Sequence, residues 1–256
     1  MKQQFSTIVL GAGYAGLGYA AAHPDCLLLE ESQTVGSDFH SCLRPAQTTP
    51  DAAGPLAGLM REYDVLGPQG FDSLKASLVA HEFAARQLAD GHEIRLDAQL
   101  LDISGAEGGV TVRYFTNEGK HTVTARCLVD ATPDCLSAPE AVRCTEKTLN
   151  VFTVCRTGGF DAALTAACPS CRIYPGYRPA ERLVAFPVPV DQDIAAACRD
   201  VTQLWHCAFP NGEEKILFVA ETFDATYEPV GRLPYQWIGQ RTLDPLAAFM
   251  KGANQV

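Results

Sequence analysis

Mostly apolar runs alternate with small-residue and polar stretches along the first part of the chain. Residues 5–10 and 26–29 are short apolar runs with many branched side chains, a pattern that predicts two buried strands. The alanine-rich stretch 14–22 between them predicts a helix. A strand, a helix and a second strand in this order predict a βαβ unit at the start of the chain.

Further helices and a series of short strands are predicted up to residue 130. The spacing of apolar residues predicts an amphipathic helix over 71–89, which Asp72 or Ser73 would cap and Gly91 would end. Within the loop-rich stretch 31–70, residues 56–63 predict a short helix. Runs bounded by glycine-containing turns predict five strands, at 92–96, 100–104, 110–116, 121–125 and 127–130.

Beyond Pro133 the pattern becomes the alternation that is typical of antiparallel strands. Such strands are predicted at 147–157, 182–188 and 214–223, with helices at 191–204 and 244–251. The whole pattern predicts an α/β chain in three segments. These are a first domain over 1–138, a smaller antiparallel α+β domain over 139–238, and a C-terminal helical segment over 239–256 that returns to the first domain.

A glycine-rich turn joins the first predicted strand to the first predicted helix, with the sequence Gly11-Ala12-Gly13-Tyr14-Ala15-Gly16. In a dinucleotide-binding turn of this spacing, Gly11 permits the tight turn, Gly13 lets a diphosphate approach the backbone, and Gly16 lets helix and strand pack closely. The helix start then offers free N–H groups and the positive end of its dipole to phosphate oxygens. The sequence therefore predicts an anion-binding turn that needs no basic patch.

Glu30 follows the second predicted strand directly. A carboxylate at this place accepts hydrogen bonds from ribose hydroxyls and disfavours a 2′-phosphate. The turn, its flanking elements and this acid together predict an adenine-dinucleotide site. The alternative is a glycine-rich turn on a fold that has lost its ligand.

Residues 5–36 and 71–134, about half of the chain, resemble the FAD-binding domain of glutathione-reductase-like flavoproteins. The resemblance rests on the glycine turn with Glu30, on Gly36, and on the 128–134 stretch LVDATPD, which is similar to a Val-Asp-Ala-Thr-Gly-type motif. It rests also on the helix 71–89 and on a β-meander predicted over 92–126. It implies a Rossmann-type FAD/NAD(P)-binding domain with a β-meander, followed by a substrate domain.

The same resemblance implies FAD as the cofactor, with NAD as the alternative. The strand near Leu100 would meet the adenine, and Ala131 and Thr132 would lie near the dinucleotide. Glu31, beside Glu30, is a further candidate for cofactor contact. The stretch that follows would pass the flavin ring, so His40, Cys42 or Arg44 would contact it, and His40 or Cys42 could attach it covalently; a polar loop is the alternative.

Two features depart from the family's pattern. Pro133 replaces a glycine and removes a backbone N–H. The family's C-terminal Gly-Asp segment has no clear counterpart, and residues 239–244 are the nearest substitute. Asp244 and Pro245 predict a good helix start, which would stabilise reduced flavin if it pointed at the ring; a helix that only packs against the sheet is the alternative.

Two other groups of residues could carry chemistry. Cys168 and Cys171 form a CxxC pair that would serve as a dithiol, or as half of a zinc site whose other ligands would come from Cys155, Cys198, His206 and Cys207. The spacing fits no standard zinc pattern, so no metal is predicted. Arginines and tyrosines in one loop could bind a carboxylate substrate or could belong to an ordinary surface loop; they are Arg172, Tyr174, Tyr177 and Arg178.

Charge and composition narrow the classes of protein further. Lys and Arg number 20 against 30 Asp and Glu, a net charge of −10, which argues against a nucleic-acid surface. No apolar run reaches the length of a membrane helix, and the glycines at 11–18 argue against a signal peptide. Ten cysteines in 256 residues are too few for a disulfide scaffold, so we expect reduced thiols and a cytoplasmic location.

These patterns predict an FAD-dependent oxidoreductase that acts on a small molecule by hydride transfer to or from flavin. Motifs for a phosphate-binding P-loop, a zinc-protease helix and a serine-hydrolase elbow are absent from the sequence. No residue is identified as catalytic. The alternatives are an NAD(H)-dependent reductase and a degenerate, non-catalytic dinucleotide-binding protein.

Overall fold

A computed structural model describes residues 4–46, 54–62, 66–67, 70–71, 81–106, 108–176 and 178–255. The strands are β1 (Gln4–Leu10), β2 (Cys26–Leu29), β3 (Leu66–Gly67), β4 (Gly70–Phe71), β5 (Glu93–Arg95), β6 (Gln99–Ala106), β7 (Gly109–Thr116), β8 (Gly119–Asp130), β9 (Val142–Val154), β10 (Arg172–Pro175), β11 (Glu181–Pro187), β12 (Ile216–Val219), β13 (Asp224–Pro229) and β14 (Gln236–Trp237). The helices are α1 (Tyr14–Ala22), α2 (Ser37–His40), α3 (Pro55–Glu62), α4 (His81–Ala89), α5 (Phe160–Ala167), α6 (Ile194–Ala208) and α7 (Pro245–Ala253), with a 3₁₀ turn at Pro139–Ala141.

The first sheet has the strand order β5-β2-β1-β8-β7-β6, and β14 also pairs with β8. Strands β5, β2, β1, β8 and β14 run parallel, whereas β6, β7 and β8 form an antiparallel meander. The first half of β8 pairs with β7 and its second half with β1, so this one long strand joins the meander to the parallel part. The predicted α/β fold class is thereby confirmed.

Two predictions about this sheet were wrong. The strands predicted at 121–125 and 127–130 are one strand, β8; Arg126 and Cys127 are both exposed, so the sequence alternation breaks while the pairing with β1 continues. The strand predicted at 92–96 is β5, which pairs parallel with β2 and is not part of the meander.

The second sheet is antiparallel, with the order β10-β11-β9-β12, and β13 also pairs with β9. Helix α6 packs on it through the buried side chains of Val201 and Trp205, and Asp193 caps this helix by accepting the Ala196 N–H at 2.8 Å. The strand predicted over 214–223 is present but shorter, because β12 spans Ile216–Val219 and β13 begins only at Asp224. Between these strands the backbone is not paired in the sheet, and the Glu221 N–H donates instead to the Ser41 carbonyl at 2.8 Å.

The other predicted helices agree with the structure where it describes them, except at Phe71. Residues 81–89 of the helix predicted over 71–89 form α4, Phe71 lies in β4, and 72–80 lie outside the described residues. The helix predicted over 56–63 is α3, and those over 191–204 and 244–251 are α6 and α7. Among the residues that the structure describes, no helix is long and apolar enough to cross a membrane.

The C-terminal segment packs against the start of the chain. A Cβ atom built on Gly18 of α1 would lie 2.0 Å from the Phe249 carbonyl oxygen, and one built on Gly252 of α7 would lie 1.9 Å from the Ala15 oxygen. The two helices can approach this closely only because both positions are glycine.

The division into 1–138, 139–238 and 239–256 stays a prediction. Strand β14, near the end of the second of these segments, pairs with the first sheet.

Candidate functional site

A cleft of about 400 Å³ opens where the first sheet meets the second. Its walls come from the glycine turn, the end of β2, the segment around α2, the turn after β8, and strands β9 and β13. The lining residues are Gly11, Gly13, Leu29, Glu30, Glu31, Ser32, Ser37, Asp38, Ser41, Cys42, Arg44, Ala131, Thr132, Pro133, Asp134, Lys147, Thr222, Phe223, Ala225 and Tyr227. The cleft therefore joins the carboxyl ends of the parallel strands to the second sheet, a place where α/β folds bind ligands.

The glycine turn has the close approaches that its sequence requires. Gly11 has a φ of 90°, in the left-handed region that favours glycine. A Cβ atom on Gly16 would lie 2.1 Å from the Gly11 carbonyl oxygen, so helix α1 can begin this near to β1 only with glycine there. A Cβ atom on Gly13 would lie 2.7 Å from Cγ of Asp38. The space above Gly13 is therefore bounded by a carboxylate.

Glu30 is buried and holds the turn in place. Its Oε2 accepts the Ala12 N–H at 2.6 Å, and its Oε1 accepts the Ser32 N–H at 3.0 Å and the Ser37 hydroxyl at 3.2 Å. A carboxylate has about four acceptor sites, so three bonds leave capacity for a hydroxyl donor in the cleft. Glu30 thus braces the turn and still faces the cleft.

Helix α2 carries Asp38 over the glycine turn. The helix begins at Gly36, whose φ is 73° and whose N–H donates to the Ala12 carbonyl at 2.9 Å. The Tyr14 N–H at the start of α1 faces Asp38 and favours its ionised form. Burial raises the pKa of Asp38 to about 6, although the Arg44 guanidinium opposes this shift. A carboxylate of the chain itself lies where the helix start attracts anions.

The turn after β8 is fixed by Asp130, which is fully buried. Its carboxylate accepts the Thr132 N–H at 2.9 Å, the Thr132 hydroxyl at 2.6 Å and the Ser137 N–H at 2.7 Å. The Trp237 indole donates to the Thr132 carbonyl at 2.8 Å, and a Cβ on Gly239 would lie 2.2 Å from the same oxygen. These contacts hold Ala131 and Thr132 at the edge of the cleft.

Arg44 and Arg241 share one buried carboxylate, that of Asp224 at the start of β13. Arg44 Nε lies 2.9 Å from Asp224 Oδ1, and Arg241 binds both oxygens at 2.7 Å. Burial alone would raise the pKa of Asp224, but the two guanidinium groups outweigh burial and hold this pKa below its ordinary value. The cluster ties the α2 segment, the second sheet and the C-terminal segment together at the cleft.

The residues predicted to pass the flavin ring lie in different surroundings. Arg44 and Cys42 line the cleft, and His40 does not. Burial raises the pKa of the Cys42 thiol to about 12, which keeps the thiol protonated, and burial lowers the pKa of His40. A protonated, buried thiol is a poor nucleophile, so the geometry does not favour covalent attachment of flavin at Cys42.

The twelve predicted cofactor contacts divide into two groups. Seven line the cleft, and they are Gly11, Gly13, Glu30, Glu31, Arg44, Ala131 and Thr132. Five are not among the lining residues, and they are Ala12, Tyr14, Ala15, Gly16 and Leu100. The fully buried Tyr14 hydroxyl lies 2.6 Å from His81 Nδ1, and the Leu100 N–H donates to Glu31 Oε1 at 3.4 Å. Contact of any of the twelve with a cofactor remains a prediction.

The remaining sequence candidates lie away from the cleft. The Cys171 and Cys168 thiols are hydrogen-bonded to each other, and burial raises the pKa of Cys171 to about 11. Within the described part of the chain, no three His, Cys, Asp or Glu side chains are grouped to hold a metal ion. Arg172 forms an ion pair with Glu146, the Arg178 N–H donates to Glu181 at 2.8 Å, and Tyr177 lies outside the described residues.

The start of α7 is capped by the side chain of its own N-cap residue, Asp244. Asp244 accepts the N–H groups of Leu246 and Ala247 at 2.9 and 3.2 Å, and the lining of the cleft includes no residue of 239–253. This arrangement supports the packing role for the helix over a direct role at a flavin ring.

Several residues at the cleft were missed in the sequence. Lys147, whose Nζ lies 4.0 Å from the centre of the Phe223 ring, and Tyr227 come from the second sheet. The alternation that predicts a strand at 147–157 could have placed Lys147 at a strand end. Asp38 gives no such signal, because its position over Gly13 depends on the direction that the chain takes after Gly36.

No protein-family model matches the chain, and no curated protein matches it. Solved structures do match it. The structure of BexE, studied for oxidation during BE-7585A biosynthesis, matches with a TM-score of 0.62 and 15% identity and covers 96% of this chain and 60% of BexE. That of p-nitrophenol 4-monooxygenase PnpA from Pseudomonas putida DLL-E4 matches with a TM-score of 0.54 and 12% identity, over 89% of this chain and 68% of PnpA.

A third match is aklavinone-11 hydroxylase, solved as a ternary complex with FAD and aklavinone. Its TM-score is 0.52 at 14% identity, and the match covers 93% of this chain and 57% of the hydroxylase. These likenesses show that the chain has the fold of FAD-binding oxidoreductases. The three proteins are named for oxidation or hydroxylation, so the resemblance is confirmed for this broad fold, and the narrower glutathione-reductase-like kinship stays a prediction.

Whether the site fits an adenine dinucleotide can be judged from the groups around Gly13. The Asp38 carboxylate lies beside Gly13 at the helix start, where the Tyr14 N–H favours its ionised form, so this position suits an anion. Glu30 retains acceptor capacity for a hydroxyl. The main chain therefore fits a diphosphate with an adjoining ribose, and Asp38 stands in for the diphosphate.

Proposed function

We propose that this chain is an FAD-dependent oxidoreductase that acts on a small molecule by hydride transfer to or from flavin. The observation that carries the proposal is one cleft lined by the glycine turn, Glu30 and the Ala131–Thr132 turn, within a fold shared by proteins such as aklavinone-11 hydroxylase, which was solved with FAD. The chain spans 57–68% of the lengths of the three proteins compared above.

FAD, when bound, would accept or donate the hydride. Main-chain N–H groups at the start of α1 would hold the diphosphate, and Glu30 would accept hydrogen bonds from the ribose hydroxyls. Ala131 and Thr132 would support the dinucleotide from the edge of the first sheet. Phe223, just before β13, and Tyr227 on β13 add aromatic surface to the cleft, and the protonated Cys42 thiol adds no competing nucleophile.

The proposal is tested with Gly13→Val. A valine side chain would fill the space above the backbone that a diphosphate must reach, so we expect the variant to lose FAD binding and remain folded. FAD binding is measured by quenching of flavin fluorescence on titration with protein, and folding by circular dichroism. Gly105→Val is the matched control, because no atom lies within 4 Å of a Cβ built there.

Full FAD affinity in Gly13→Val, with the control also unchanged, would contradict the proposal. A wild-type protein that binds NADH and not FAD would support the NAD(H)-dependent reductase. A wild-type protein that binds neither, at any pH at which it is folded, would support the degenerate, non-catalytic alternative.

A further inference from the structure

We propose that Asp38 is an internal competitor of the diphosphate: its carboxylate occupies the anion position at the start of α1, and a dinucleotide binds only by displacing or neutralising it. The inference rests on the proposed function and adds a residue that sets the affinity and selectivity of the site.

The first argument is steric. A Cβ atom on Gly13 would lie 2.7 Å from Asp38 Cγ and 2.8 and 2.9 Å from its two oxygens. These distances place the carboxylate in the volume that the missing side chain of Gly13 leaves open. A diphosphate that approaches the Gly13 backbone needs the same volume.

The second argument concerns hydrogen bonds. The Tyr14 N–H, which belongs to the helix start that would serve a phosphate oxygen, favours the ionised form of Asp38. Its Oδ1 is shielded from solvent and makes no hydrogen bond to the residues that the structure describes. A half-satisfied carboxylate is a weaker occupant of this position than a ligand whose oxygens use all the donors.

The third argument is electrostatic. The charged or titratable groups that face Asp38 are Glu30 at the end of β2, the Tyr14 phenol on α1, and Cys42 and Arg44 after α2. Arg44 is the cation of this group, and Asp224 already shares it. A diphosphate beside ionised Asp38 and Glu30 would meet like charge in a poorly solvated cleft. Protonation or removal of the Asp38 charge reduces that repulsion.

A pH dependence follows from this arrangement. Because the pKa of Asp38 is raised to about 6, the carboxyl group is neutral below this pH and charged above it. Affinity for a diphosphate ligand should therefore rise as the pH falls through the pKa of Asp38. Adenosine, which has no phosphate, should show no such change.

The test compares wild type, Asp38→Asn and Asp38→Ser in equilibrium titrations with FAD, ADP and adenosine, at about pH 5 and about pH 8. At about pH 8 we expect both variants to bind FAD and ADP about tenfold or more tightly than wild type, with a smaller difference at about pH 5. Adenosine affinity should be the same in all three proteins. Circular dichroism checks that each variant is folded, and the wild-type pH dependence tests the inference even if one variant is not.

Two controls separate a local effect from a general charge effect. Asp102→Asn removes a surface carboxylate on β6, and Asp134→Asn removes a carboxylate that lines the cleft away from the helix start. Asp102→Asn should not change the affinity, and Asp134→Asn should change it less than Asp38→Asn.

The inference would be overturned if wild type and both Asp38 variants bound FAD with the same affinity, and ADP with the same affinity, at both pH values. This result would leave the proposed function intact. An Asp134→Asn effect as large as that of Asp38→Asn would overturn the inference too. Absence of FAD binding in every protein, including both Asp38 variants, would refute the proposed function itself.

Discussion

The most demanding structural prediction concerns Asp224, the carboxylate between Arg44 and Arg241. The Asp224 side chain is 1% exposed, and those of Arg44 and Arg241 are 4% and 15% exposed. Asp224→Asn keeps the shape and removes the carboxylate charge that the two guanidinium groups share in this buried place. Removal of one partner from a buried ion pair costs about 3–5 kcal/mol. That is a large part of the roughly 5–15 kcal/mol that stabilises a typical domain.

The loss is measured by urea unfolding, followed by tryptophan fluorescence. Trp205 lies in the core of the second sheet and Trp237 beside the turn after β8, so the signal covers both sheets. Asp102→Asn is the control, because its ion pair with Arg113 is exposed and should contribute little.

The pH dependence of this effect has a definite sign. The folded-state pKa of Asp224 is lowered, so its contribution to stability is present above the unfolded value of about 3.9 and is lost as the pH falls through the folded value. The difference between wild type and Asp224→Asn should therefore be constant near neutral pH and shrink below about pH 4. A loss no larger than that of Asp102→Asn, or one that persists unchanged in acid, would refute the reasoning.

Two further predictions concern the contact between α1 and α7 and the ribose-binding carboxylate. Gly252→Ala should lower the free energy of unfolding by about 1–3 kcal/mol in thermal denaturation, because the new Cβ would lie 1.9 Å from the Ala15 oxygen. Gly58→Ala, on the exposed face of α3 with no atom near its Cβ, should raise the free energy of unfolding by about 0.5–1 kcal/mol. Equal effects of the two substitutions would contradict the packing argument. Glu30→Ala should weaken FAD binding by about 1.5–3 kcal/mol, about tenfold to a hundredfold in Kd, since it removes charge-assisted hydrogen bonds and leaves the Ala12 N–H without its acceptor. Unchanged affinity in fluorescence titrations would exclude Glu30 from the ribose site.

Much of the first sheet could be predicted from the sequence because its signals are local. The bounds of α1 and β2 follow from an alanine-rich stretch between glycine and proline and from a four-residue apolar run. The single strand β8 could not be predicted in the same way. The strand continues through Arg126 and Cys127 because β8 pairs with β1 there. The alternation of apolar and polar residues within β8 does not reveal this pairing.

The candidate site shows the same division. The glycine turn and Glu30 were found because each residue acts within one βαβ unit. Asp224 was not found, because its partner Arg44 is 180 positions away in sequence. Asp38 is near the turn in sequence, yet its position depends on the left-handed backbone at Gly36, and glycine alone does not specify which way the chain turns.

The close packing of α1 against α7, at Gly18 and Gly252, has a consequence for how the first sheet and its glycine turn fold. The helix that begins at the glycine turn finishes its packing only against residues 245–253, and β14 supplies the last parallel strand beside β8. During synthesis, one side of α1 stays uncovered until the second sheet and then α7 have been translated. The packing around the glycine turn is thus completed only when the C-terminal segment docks on α1. A fragment that ends at the predicted domain boundary would lack α7 and β14.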